Sequence, residues 1–62
     1  MKWDVKLRDG GNMTVEADDL YTDGGALVFR RSPHPGSRDA VYRPFLVVAP
    51  QTYLQATRVD DA

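Results

Sequence analysis

The sequence predicts an all-β domain, and three observations carry that expectation. Trp3, Val5 and Leu7 alternate with Lys2, Asp4, Lys6 and Arg8, the period-two pattern of a strand with one wet face. Two glycine pairs, Gly10-Gly11 and Gly24-Gly25, each follow an aspartate and accept the positive φ that tight hairpin turns require. Ala26-Leu27-Val28-Phe29 is a short apolar run rich in strand-formers, closed by Arg30-Arg31.

The elements follow in order. A first strand over Lys2 to Arg8 turns at Asp9-Gly10-Gly11-Asn12 into a second, with Met13, Val15 and Ala17 inward and Thr14 and Glu16 outward. Asp18-Asp19 interrupts the alternation, since Ala17 and Leu20 cannot share a face in a regular strand. A bulge or corner there bends the strand on through Leu20 and Tyr21 to the turn at Asp23-Gly24-Gly25. The third strand is Ala26 to Arg31, with Leu27 and Phe29 inward. Residues Ser32 to Asp39 form the longest loop, held irregular by Pro33, Pro35 and Gly36. In the next apolar run, Val41 to Ala49, Pro44 lacks a backbone donor, so the run is an edge strand or two pieces. Phe45 to Val48 is the expected buried strand, with Val41-Tyr42-Arg43 pairing more loosely with the third. Ala49-Pro50-Gln51-Thr52 reads as one 3₁₀ turn leading to a last strand near Tyr53 to Val59. A short helix from Pro50 to Thr57, with proline at its first position, is the alternative. Arg58 to Ala62 is expected to fray.

Sixty-two residues make one domain, here 1–59 with a C-terminal tail over 60–62. A core this small supplies no more than about 3–5 kcal/mol. There is no cysteine, so no disulfide or thiolate metal site, and the single histidine cannot complete a zinc shell. Stability must come from an economical β-core, from self-association or from a partner. The net charge of −1 opposes bulk attraction to nucleic acid or to an anionic membrane. The charges are nonetheless segregated. Asp9, Glu16, Asp18, Asp19 and Asp23 fill one stretch; Arg30, Arg31, Arg38 and Arg43, with His34 among them and Asp39 against them, fill the next. No apolar run approaches the roughly 20 residues of a membrane span, and Met1-Lys2-Trp3-Asp4 does not open a signal peptide. A cytoplasmic protein is expected.

Five short strands, a bend in the second and a 3₁₀ turn before the last resemble the SH3-like small barrel, in element order and in the closing VAPQTYLQATRV segment. The expected fold is such a barrel or a strongly bent meander. The segments VEADDLYTDGGALVFR and VVAP are similar to short β-rich proteins of actinobacteria and their phages, a resemblance that implies no known activity. Fold likeness does not carry function.

Catalytic chemistry finds few materials. Nucleophilic catalysis needs a nucleophile, a base and an orienting group, and the only imidazole, His34, lies between two prolines in a loop. Asp18 and Asp19 point to opposite faces as strand neighbours and read as solvated corner residues. The glycine pairs sit in hairpins with no following lysine, unlike a phosphate loop. No enzyme, cofactor, metal or small-molecule substrate is expected. Trp3, Phe29 and Phe45 are expected in the core, with Tyr21, Tyr42 and Tyr53 at its rim. Should Tyr42 lie beside Arg30 and Arg43, an aromatic-basic surface results, of the kind used by protein interfaces and single-strand binders alike. The expected function is a non-enzymatic interaction module binding another protein or itself, as a homodimer, through a surface containing Arg30, His34, Arg38, Tyr42 and Arg43. The alternative is a nucleic-acid-binding small barrel using Arg30, Arg31, Arg38, Arg43 and Tyr42.

Overall fold

The computed structural model describes residues 1–59; the expected tail over 60–62 lies outside them. The described residues form six strands and no helix: β1 (Lys2–Leu7), β2 (Asn12–Glu16), β3 (Asp19–Asp23), β4 (Ala26–Arg31), β5 (Arg43–Val48) and β6 (Tyr53–Val59). They make two three-stranded antiparallel sheets, ordered β2-β1-β6 and β3-β4-β5.

The all-β expectation holds, but the long bent strand is two strands. The Ala17 N–H donates to the Met1 carbonyl in the first sheet, at 2.9 Å, and the Asp18 N–H to the Arg30 carbonyl in the second, at 3.0 Å. The chain thus changes sheet between adjacent residues, which is what the broken alternation at Asp18-Asp19 requires. The corner carboxylates are not simply solvated, as expected of them. Asp18 Oδ2 accepts from the Ser32 backbone N–H at 2.9 Å, and Asp19 is ion-paired with Arg30.

The core lies between the sheets. Val5, Val15 and Ala17 from the first segment of chain meet Leu27, Phe29 and Val48, and Val5 and Phe29 are wholly buried. Trp3 packs edge-on against Phe29, ring centroids 6.4 Å apart, and its indole N–H donates to the Ala17 carbonyl at 3.4 Å. Gly24 and Gly25, at φ 58° and 87°, close β3 and β4 with a two-residue turn, the positive-φ pair that matches strand twist. Gly25 also lies under Pro50, and its carbonyl accepts from the Tyr53 hydroxyl at 2.6 Å. One turn of the second sheet is thereby fastened to the connection between β5 and β6.

Several expectations after residue 40 are corrected. Phe45 is not core: Phe29 pairs with Leu46 and Arg30 with Pro44, so Phe45 is bulged out of register and 42% exposed. The strand begins at Arg43 and runs through Pro44, as an edge strand can. Val41 and Tyr42 lie outside it, and only Val48 is buried. Residues 49–52 make a single turn, with the Thr52 N–H on the Ala49 carbonyl at 3.4 Å, and not a 3₁₀ helix. Gln51 has φ 67°, which a right-handed helix of either kind cannot contain, whereas a turn with proline second and positive φ third can. The alternative helix over Pro50 to Thr57 is excluded by β6. Its last residues, Arg58 and Val59, do not fray but pair with Trp3 and Lys2.

Candidate interaction face

The register of the β3–β4 hairpin builds the face. Two turn residues set Asp19 opposite Arg30, Tyr21 opposite Val28 and Asp23 opposite Ala26. Val28 in turn lies opposite Val47 of β5. Directly paired residues share a side of the sheet, so Tyr21, Val28 and Val47 form one row on the side away from Leu27 and Phe29. Val28 is 6% exposed although it is no part of the core cluster. An apolar cluster therefore exists on the outer side of this sheet, with Tyr21 and Val47 as its exposed ends.

Arg30 stands on the same side, two residues along β4. Its Nε and Nη2 both donate to Asp19 Oδ2, the Nε bond at 2.6 Å. The guanidinium lies 4.5 Å from the Tyr21 ring centroid and 5.7 Å from that of Tyr42. It is thus placed between two aromatic rings and neutralised by one carboxylate, an arrangement that cation–π attraction favours. Tyr42 is held in turn by the loop, since the Gly36 N–H donates to its hydroxyl oxygen at 3.1 Å.

Arg31 leaves the strand on the other side. Its Nε and Nη2 donate to the Glu16 carbonyl at 3.1 and 2.9 Å, and its Cζ lies 3.9 Å from the Phe45 ring centroid. Arg43 is its direct cross-strand partner. Two arginines are therefore paired across the strands, and among the described residues neither has an ion pair.

Of the sequence-predicted surface, Arg30 and Tyr42 are brought together. Arg43 falls beside Arg31 instead, so it does not share the Arg30 side. His34 and Arg38 are exposed on the loop, where turns from the His34 carbonyl to the Ser37 N–H (3.2 Å) and from Ser37 to Ala40 (3.2 Å) shape the chain. Tyr21 and Asp19 were missed as members of the face, and the signal for both was available. Counting back from a two-residue turn at Gly24-Gly25 puts Tyr21 beside Val28 and Asp19 beside Arg30.

Among the described residues no group of His, Asp or Glu could hold a metal ion, and no pocket is present. No helix is long and apolar enough to cross a membrane. No family model, curated protein or solved structure matches the chain.

Proposed function

We propose that the chain is a non-enzymatic interaction module that works by binding another protein or itself. The observation that carries this reading is Arg30 held between Tyr21 and Tyr42, its charge answered by Asp19, next to the Tyr21–Val28–Val47 row. Tyrosine and a charge-paired arginine on a partly apolar patch is the composition of interface hot spots. Neutralised by its own carboxylate, Arg30 has little left to offer a phosphate. With β2 and β3 counted as one strand bent at Ala17-Asp18, we read the element order as that of a five-stranded SH3-like small barrel. A cytoplasmic accessory role fits the sequence resemblance to short actinobacterial and phage proteins.

The adjacent Arg31 and Arg43, with Arg38 on the loop, favour a second reading as a nucleic-acid-binding small barrel. Three phosphate contacts would give a salt slope of only about −2 to −3 in the logarithmic plot. That is weak without base stacking, and Tyr42 is already occupied by Arg30. A pull-down from native lysate, with bound protein and nucleic acid both identified, separates the readings. Protein recovered by wild type and lost with Tyr21→Ala supports the first. Tight, steeply salt-dependent binding to random DNA or RNA, abolished by Arg38→Glu with Arg43→Glu, establishes the second in its place.

A further inference from the structure

Arg30 and Arg31 are consecutive, yet the fold treats their charges in opposite ways. Arg30 is paired with Asp19, whereas Arg31 is held by a neutral group, the Glu16 carbonyl, which accepts from its Nε and Nη2. That contact fixes the guanidinium without answering its charge. It also leaves Nη1 and the second Nη2 hydrogen, the end-on fork of the group, without an acceptor among the described residues. Arg43 stands directly opposite on β5, so both side chains leave the sheet on the same side. Like charges in that relation repel, and among the described residues neither arginine has an ion pair to relieve the other. Phe45 is the third member. The register shift between Phe29 and Arg30 leaves it out of the pairing, and its exposed ring lies against the Arg31 guanidinium. A bulge re-aims a side chain, and bulges recur beside functional sites.

We propose that Arg31, Arg43 and Phe45 form a docking surface for an acidic segment of a partner protein, a run of glutamate or aspartate with an apolar residue among them. The proposal rests on the interaction-module reading and adds a second surface to it, on the other side of the sheet from Tyr21 and Arg30. Charge complementarity names the occupant. Two arginines without ion pairs call for anions, and the planar guanidinium fork matches a carboxylate in shape as well as in charge. The exposed Phe45 ring adds apolar area that a partner side chain can cover.

A nucleic-acid strand is anionic too, but this surface suits it poorly. Base stacking needs an open aromatic face, and Phe45 and Tyr42 each already lie against a guanidinium. Two phosphate contacts without stacking give a salt slope of only about −1.4 to −1.8 in the logarithmic plot. An acidic peptide asks less of the surface: two forks for its carboxylates and one ring for an apolar side chain. A contact of that size is weak and sensitive to salt.

The probe is a short peptide of glutamates around one leucine, with the matching glutamine peptide as control, titrated into isotope-labelled protein and followed by amide NMR. The glutamate peptide should shift the Arg31, Arg43 and Phe45 signals saturably, with a Kd of about 0.1–1 mM in low salt. Raising salt from about 50 to about 500 mM should weaken it about tenfold. Arg43→Glu sets a carboxylate opposite Arg31, so the variant should melt at or above wild type while binding the peptide at least about tenfold more weakly. Were that variant unfolded, Arg43→Gln removes the charge without inverting it and should also weaken binding. Equal binding of the glutamine peptide, no saturable shift at about 5 mM peptide, or unchanged affinity in the folded Arg43 variant overturns the proposal. A random DNA or RNA oligonucleotide that binds the same amides more tightly than the peptide overturns it too, in favour of nucleic acid. If the peptide fails while wild type still captures a protein that Tyr21→Ala loses, the acidic-segment surface falls and the interaction-module reading stands; failure of both removes both.

Discussion

Phe29 is the residue on which the packing turns, being wholly buried, in contact with Trp3 and paired with Leu20 and Leu46 on either side. Removing its ring costs about 3–5 kcal/mol, which is comparable to the whole stability of a domain this small. Phe29→Ala is therefore expected to be largely unfolded at 25 °C; a cooperative melt near that of wild type would contradict the burial. Gln51 is the opposite case. It is the one non-glycine described residue at positive φ, a conformation that costs an L-residue roughly 1–2 kcal/mol. Gln51→Gly relieves that strain but loosens the unfolded chain, so a net gain of about 0.5–1 kcal/mol in urea denaturation is expected. Tyr53→Phe removes the hydroxyl that reaches Gly25, and should cost about 0.5–1.5 kcal/mol.

At the scale of elements, what sequence could show depended on whether a strand has one wet face or two unlike environments. Strands β1 and β2 were legible because their apolar residues alternate, and β4 because its apolar run starts at a turn that carries glycine where positive φ is needed. Strand β5 was not, because Phe45-Leu46-Val47-Val48 is apolar throughout and gives no clue to which residues face the core. The register shift at Phe29/Arg30 that expels Phe45 comes from tertiary pairing, which no local pattern encodes. The candidate face was legible in part: Arg30 with Tyr42 was foreseen, Arg43 was misplaced, and the Asp19 and Tyr21 contributions needed the hairpin register. Strand position also sets local stability. Strands β1 and β4 are central in their sheets and carry Val5 and Phe29, while β2, β3, β5 and β6 are edges. Amide hydrogen exchange should therefore be slowest in β1 and β4, at the rate of global unfolding. Greater protection in β5 of a dilute monomer would contradict this order.

On the scale of the whole molecule, the acidic and basic stretches of the sequence do not form two opposed faces. They meet at Asp19–Arg30, while Glu16 lies on β2 of the first sheet, Asp23 and Arg43 on the outer strands of the second, and Arg38 in the loop. The molecule joins its halves through few ties: the core, the Arg31 bonds to the Glu16 carbonyl, the Tyr53–Gly25 bond, and Trp3 against Phe29. The last of these has an optical consequence. Trp3 is the only tryptophan in the chain, so all indole emission originates at the seam between the sheets. Its colour and intensity follow one event, the parting of β1 from β4, while far-ultraviolet ellipticity follows the strands themselves. If the sheets can separate before they dissolve, emission will shift at lower denaturant than ellipticity; if the domain opens as one unit, the two curves will superimpose. Nature has thus placed a single lamp on the hinge line, and no label need be added to watch it.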